Sequence, residues 1–329
     1  MNYALGLNMK VAAIQLDAVF ADFDENLKKV KNLVLQAVED GAEFVVLPEF
    51  FTSAIGFSPK MLETVLQNKK THEFLVQLSS QFNIIIGGSY LSFDGYQCYN
   101  LFELVFPGGE TFTHKKDLPT QFENCYYTKG DTNRILHTPI GNIGVALCWE
   151  MIRYDTVREL SAKADIILAG SCWWDLPDNA LSEREPLRQY NQQLALETPV
   201  QFAKLLHTPV IHANHCGKVT AYKFKNSDNN FPIDSEMQTR QMVGAAQILS
   251  SEGEIIARRP FHEGDGILAA NLKWGDTIHR EADADINKYW IPDLPESYLK
   301  AWETMNPQGE KYYNSISLPY YRKNYTLSL

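Results

Sequence analysis

Dense basic clusters, paired cysteines at metal-ligand spacing and long apolar runs are all missing from this 329-residue chain. Its formal charge is -10, and the densest basic group, Lys28-Lys29 with Lys31, fits one solvated face of a helix. A protein that holds nucleic acid through its phosphates needs a far denser patch, so that class is excluded. The five cysteines (Cys98, Cys125, Cys148, Cys172 and Cys216) are odd in number and show no CxxC spacing. That argues against a disulfide framework and for a reducing compartment. No window approaches the roughly 18 continuous apolar residues of a membrane span. Met9 to Ile14 imitates the start of a signal peptide, but Gln15 and Asp17 interrupt it and no small-residue cleavage site follows. Internal repeats and low-complexity stretches are absent as well. The expectation is a soluble, cytoplasmic protein with no cofactor and with neither a membrane nor a nucleic acid as partner.

What is present is a substantial core: 45% of the residues are hydrophobic, enough for one large or two ordinary domains. Lys10 to Leu16 is a short apolar run. Leu27, Val30, Val34, Ala37 and Val38 then recur at helical spacing, with Gly41 placed as a C-cap. Phe44 to Leu47 is a buried strand that leaves Glu49 just past its end. Ser58-Pro59 opens one helical stretch towards Phe82, with Ser as N-cap and Pro at the first helical position. Ile84 to Gly87 is the next strand, and Cys98 to Phe106 with Glu110 to His114 form a hairpin around Pro107-Gly108-Gly109. Two more strands, Ile135 to Pro139 and Ile143 to Cys148, flank Gly141-Asn142; Arg153 to Lys163 and Glu185 to Leu206 are helical, the second despite Pro199. Ile166 to Ala169, Pro209 to Ala213, Val243 to Leu249, Ile255 to Arg258 and Ile267 to Ala270 complete the strands. Such alternation predicts mixed sheets covered by helices.

Three segments carry chemistry. Cys148 ends the run Gly144 to Leu147 just ahead of a helix, which sets a thiol where the turn after a buried strand exposes a side chain and leaves backbone N–H groups for a developing oxyanion. A thiol with a pKa near 8.5 needs a base or a cation nearby to attack at neutral pH. Glu49, in Leu47-Pro48-Glu49-Phe50, and Lys116, in the run from His114 to Thr120, are the candidates for those two tasks. An acid after a strand can also merely cap a turn, and a lysine can sit in a surface salt bridge, for which Lys115 is the better candidate.

The order Glu49, Lys116, Cys148 resembles the nitrilase superfamily of carbon–nitrogen hydrolases, and further landmarks agree in order: Gly87-Gly88-Ser89, Tyr99-Asn100, Gly141 to Gly144, Arg158-Glu159-Leu160, Ala164 to Leu168 and Ser251 to Glu254. The resemblance covers roughly residues 10 to 272 and implies a four-layer αββα sandwich with two mixed β-sheets, with the active site at one sheet edge. It implies Glu49 as general base, Lys116 as oxyanion partner together with the Trp149 N–H, Cys148 as nucleophile, and Glu123 as a second glutamate that orients substrate and holds the lysine. Cys148-Trp149-Glu150 and the pattern from Lys116 to Thr120 resemble the nitrilase-like branch, whereas Gly170-Ser171-Cys172-Trp173 is closer to amidase branches. Two departures stand out: Lys115 where many relatives carry Arg, and no proline in Met151 to Asp155.

The expected activity is a thiol-dependent amidase releasing ammonia or an amine and a carboxylic acid, with a nitrilase as the alternative and a non-catalytic binding protein on the same fold as a third. Trp149 and Trp173 are substrate-pocket aromatics or plain core. Residues 174 to 199 are a candidate lid, and Arg184 or Arg188 would meet an acidic substrate. His207, His212, His215 and Cys216 lack metal-site spacing, since His212 and Asn214 share a strand face while His215 begins a turn, so no metal is expected. Residues 1–274 are read as the hydrolase domain. Residues 275–329 are an aromatic-rich extension with little periodicity, packing on that domain or across a subunit interface in a homodimer or higher homo-oligomer.

Overall fold

The computed structural model describes residues 6–131, 133–177, 184–224, 236–275, 281–282 and 288–325. Strand β1 (Leu7–Leu16) is the hinge of the architecture. It pairs in parallel with β2 (Phe44–Val46) and with β10 (Val210–His215), and antiparallel with β15 (Gly266–Trp274). Outward from β2 the order continues through β3 (Ile85–Phe93), β4 (Cys98–Val105) and β5 (Thr111–Lys115). Outward from β10 it runs through β8 (Ile166–Ser171), β7 (Gly141–Leu147) and β6 (Ile135–Thr138), while β13 (Ala246–Leu249) pairs with β10 and β14 (Ile255–Arg259).

Alternation along these strands builds three seams and therefore four layers. Val11, Ala13, Phe44 and Val46 from one half pack with Val145, Ile166, Leu168, Ile211 and Ala213 from the other in a core between the sheets. Ala12, Ile14 and Val45 point the opposite way, towards Val30, Val34 and Ala37 of α1 (Phe23–Glu39) and Leu75 and Leu78 of α3 (Asn68–Phe82). Ala146, Ile167 and Ala169 face Val157 and Leu160 of α4 (Tyr154–Leu160) and Phe202 and Leu206 of α5 (Glu185–Leu206). The expected αββα sandwich is the observed fold.

Several local expectations change. The stretch from Ser58 splits into α2 (Lys60–Val65) and α3, with Pro59 one place earlier, as the N-cap. His215 is not the start of a turn; it is the last residue of β10, in register with Leu16. A second sheet of β11 (Lys218–Tyr222), β12 (Met237–Met242) and β9 (Trp174–Pro177) has no counterpart in the sequence reading. Its strands are short and polar on alternate positions, so their pairing is decided by distant partners rather than local pattern.

Within the extension, of which 276–280, 283–287 and 326–329 lie outside the described residues, residues 296–325 are helical: α6 (Glu296–Tyr312), a π-turn over Tyr313–Ser317, and α7 (Leu318–Tyr325). These helices bury Tyr312, Tyr313 and Tyr321 against the chain's own first half. The Tyr313 hydroxyl accepts from the Cys98 N–H at 2.8 Å and donates to Gln97 Oε1 at 2.8 Å, and the Tyr321 hydroxyl donates to the Tyr126 carbonyl at 3.1 Å. Among the described residues no helix is long and apolar enough to cross a membrane.

Candidate active site

Four chain segments carry the site at the C-terminal ends of the parallel strands β2, β7 and β8 and of the edge strand β5, where open α/β sheets form their crevices. Glu49 follows β2, Lys116 follows β5, Cys148 follows β7, and Cys172 follows β8. Gly170 lets β8 approach closely, because a Cβ there would meet the Glu49 nitrogen at 2.9 Å and the Pro48 carbonyl carbon at 3.2 Å. Cys148 takes a positive φ of 50° as β7 breaks into a 3-10 turn (Cys148–Ile152), a conformation that costs a non-glycine residue energy and recurs at functional positions.

Glu49, Lys116, Glu123 and Cys148 are all almost wholly buried. Lys116 Nζ donates to Glu49 Oε1 at 2.8 Å, to Glu123 Oε2 at 3.0 Å and to Thr120 Oγ1 at 3.2 Å. One ammonium thus holds two carboxylates. Glu49 Oε1 also accepts from Asn100 Nδ2 at 2.8 Å, and Oε2 from the Cys172 N–H at 3.1 Å. Glu123 Oε2 further accepts from the Thr120 N–H at 3.0 Å and from the Tyr127 hydroxyl.

The charges explain the protonation. Burial and the neighbouring Glu123 carboxylate outweigh the Lys116 ammonium and raise Glu49 to about 7. Burial alone would lower Lys116, but Glu123 and Glu49 push it well above its ordinary value and keep it cationic. The Cys148 thiol is raised by burial and by Glu49 against the pull of Lys116, so at rest the sulfur carries its proton.

A second buried network fixes the geometry of the first. Glu150 Oε2 accepts from the Leu147 N–H at 2.8 Å and meets His114 Nε2 at 3.0 Å, while its Oε1 accepts from the Asp117 N–H at 2.9 Å. One carboxylate thereby ties the residue before Cys148 to the residue after Lys116. Burial raises Glu150, yet His114, Arg134 and the Leu147 amide outweigh it and hold the group below the usual carboxylate range. Arg134 and Arg153 pair with Asp117 behind it. Glu150→Gln is expected to lower activity about 10- to 100-fold through misplacement, and to cost about 1–3 kcal/mol through the bonds it leaves unmade. Steady-state kinetics and urea unfolding on the same preparation check both.

Trp149 and Trp173 are buried and both line a cavity of about 670 Å³ that opens onto Cys148. Trp173 Nε1 donates to Asn191 Oδ1 at 3.0 Å. Trp149 stacks on Trp302 of α6, 5.6 Å between centroids and 5° between planes, a pair worth about 0.5–1.5 kcal/mol beyond its buried area. In the segment 174–199, residues 178–183 lie outside the described residues, and the parts on either side, Trp174–Pro177 and Arg184 with α5, wall the cavity. Arg184 reaches that lining, whereas Arg188 lies behind it against Asp175 at 3.4 Å. Lys115 pairs loosely with Asp94 at 3.9 Å and sits over the Tyr99 ring.

Sequence reasoning missed four supporting groups. Asn100 was legible only as a landmark, and Thr120 and Tyr127 had no signal of their own. His215 Nε2 donates to the Glu49 carbonyl at 2.6 Å, and burial lowers it to about 4, so the ring is neutral and clamps the backbone that carries Glu49. His212 meets Ser171 Oγ at 2.9 Å. Among the described residues no group of three or more His, Cys, Asp or Glu is placed to hold a metal ion.

Known proteins resemble this chain in sequence and in fold. The sequence profile of the Carbon-nitrogen hydrolase family matches residues 10–279. Nitrilase 3 of Arabidopsis thaliana is 25% identical over 322 residues, covering 87% of this chain and 85% of that protein. Citrullinase of Francisella tularensis is 27% identical over 175 residues, covering 49% of this chain and 60% of that one. Among solved structures, a carbon-nitrogen hydrolase from Helicobacter pylori G27 superposes with a TM-score of 0.66 at 18% identity, covering 80% of this chain and 88% of that one. An amidase from Nesterenkonia sp. AN1 superposes with a TM-score of 0.60 at 16% identity, covering 89% and 97%.

Proposed function

The chain belongs to the carbon–nitrogen hydrolase family, and from that premise we propose a thiol-dependent amidase in which Cys148 forms a thioester with the acyl part of a small amide. The observation that carries the proposal is the buried Glu49–Lys116–Glu123 cluster, held together by two ion pairs and close enough to Cys148 for all three charges to act on its thiol. Glu49 takes the thiol proton as sulfur bonds to the carbonyl carbon, and the carbonyl oxygen becomes an oxyanion. The Lys116 ammonium and the Trp149 N–H stabilise that oxygen, which is where such donors contribute most. As the C–N bond breaks, Glu49 passes its proton to the departing nitrogen, releasing ammonia or an amine. Water then attacks the thioester; Glu49 removes its proton, the C–S bond breaks, the acid leaves and sulfur regains a proton.

Glu123 is the positioning partner of Lys116 in this cycle, and Trp149 and Trp173 are walls of the acyl pocket. A cytoplasmic homo-oligomer, with a domain boundary near residue 275, belongs to the same proposal. The alternative substrate, a nitrile, is favoured by one observation: a relative matched over 87% of this chain is a nitrilase.

Ammonia release across a panel of small amides and their matching nitriles decides between them, amides being expected to turn over faster. The pH profile carries a second expectation. Glu49 must be ionised to act as base, and its value of about 7 instead of 4.5 puts the acid limb of kcat/KM near neutrality. Activity should fall about tenfold per unit below pH 7. A limb near pH 4.5 would exclude Glu49, as the structure presents it, from the base role.

A further inference from the structure

The wall of the cavity above Cys148 carries more positive charge than a neutral amide or nitrile needs. Its floor is the buried Cys148 between Trp149 and Trp173, and its sides are apolar, with Phe57 and Phe122 among them. Four lining side chains are cationic: Arg184, Lys223, Arg240 and Lys300. Only Asp175 opposes them among the described lining residues. Asp175 divides its charge among several partners: its carboxylate takes Arg188 at 3.4 Å and Gln192 Nε2 at 2.6 Å, and it also attracts the Arg240 guanidinium. Lys223 is likewise occupied by Glu236 at 3.4 Å.

Depth orders the remaining charges. Cys148 is 2% exposed, Arg240 is partly buried in β12, and Arg184 and Lys300 are exposed at the rim. An acyl group attached at sulfur would therefore run along aromatic walls and end among guanidinium and ammonium groups. Tyr298 of α6 also lines the cavity, is 9% exposed, and has a hydroxyl without a hydrogen-bond partner among the described residues. A buried donor left unmade costs free energy, and a ligand oxygen would satisfy it. At about 670 Å³ the cavity is of the size that encloses drug-sized ligands rather than a minimal amide.

We propose that the preferred substrate is an amide or nitrile with an apolar or aromatic body and a carboxylate at the end remote from the scissile bond, anchored by Arg240 with Arg184 and Lys300. This rests on the hydrolase reading above and adds the substrate class. Arg is the side chain suited to the task, since its planar fork matches a carboxylate with two parallel bonds. Lys300 and Tyr298 come from α6, beyond residues 10–279 that match the family, so part of the selectivity resides in the extension.

The test compares 3-(4-carboxyphenyl)propanamide with 3-(4-methylphenyl)propanamide, which share a body and differ in charge. Wild type should hydrolyse the carboxylate at least tenfold faster in kcat/KM, and Arg240→Gln should cut that ratio at least tenfold, mainly through KM. Lys28→Gln, which removes an exposed cation of α1, should leave the ratio alone. Equal rates, a neutral preference, or a ratio indifferent to Arg240→Gln overturns the proposal. If neither amide releases ammonia, the amidase reading is at fault, and calorimetric titration of the carboxylated amide into Cys148→Ala still decides the anchoring. Binding weakened at least tenfold by adding Arg240→Gln supports it, and no millimolar binding overturns it.

Discussion

Glu49→Gln is expected to lower kcat/KM by about 10²–10⁴, the range a positioned general base contributes. The substitution keeps size and removes both charge and acceptor symmetry. Glu49 uses its two oxygens on opposite sides, Oε1 towards Lys116 and Asn100 and Oε2 towards the Cys172 N–H. An amide satisfies only one side, because its NH₂ must then face a donor. Turning it the other way sets that NH₂ against Lys116 and Asn100. A stability loss of about 1–3 kcal/mol should accompany the kinetic loss. The kinetic effect is the larger because the Cys148 thiol is raised by burial, and the other carboxylate near it, Glu123, is tied to Lys116, Tyr127 and the Thr120 N–H. Single-turnover kinetics separate the two consequences: the proposal expects the acylation step itself to slow, with the folded population intact.

Lys116→Met should abolish activity by at least about 10³-fold and destabilise the fold as well. Removing the ammonium leaves the Glu49 and Glu123 carboxylates sharing a dry site, with Oε1 of the one and Oε2 of the other stripped of their common donor. Two carboxylates in that position cannot both stay ionised, so a proton is taken up. A protonated Glu49 is no base, and the oxyanion loses its cation at the same stroke, which alone is worth about 10²–10³ in rate. Breaking a buried ion pair on one side costs about 3–5 kcal/mol, so folding should be checked by calorimetry before rates are compared. Lys116→Arg keeps the charge and tests the point geometry: the longer planar group should restore stability more than rate.

The parts of the site that were readable from the chain are those whose chemistry is local. Cys148 directly follows the apolar strand β7, Glu49 lies three residues past the apolar β2, and Lys116 directly follows β5, so strand ends announce both the element and the address. The strands of the order β2-β1-β10-β8-β7 were readable as apolar runs buried on both faces, whereas their order in the sheet was not. What stayed hidden depends on distant partners. β12, Met237–Met242, reads MQTRQM and gains its strand only by pairing with β11 and β9. α6 contains Pro307 and Gly309, which weaken helical propensity, and it is held by Tyr312 against Phe57 and Tyr126 and by Trp302 against Trp149. His215 looked like a turn residue because its function, a bond to the Glu49 carbonyl 166 positions away, leaves no trace in its neighbours.

The extension also explains how a chain without the proline after the nucleophile keeps its pocket wall. Ile291 donates to the Ile152 carbonyl at 2.8 Å and Tyr154 to the Tyr289 carbonyl at 3.1 Å. The turn that follows Cys148 is thus braced from outside by the tail, which then turns into α6 and covers Trp149.

Ammonia release by Cys148→Ala, measured on the best amide found for the wild type, bears most directly on the proposed cycle. Loss of turnover to the level of the uncatalysed reaction, in a variant that still folds and still binds that amide, is the expected outcome. Turnover persisting within tenfold of wild type would mean that the C–N bond is broken without sulfur.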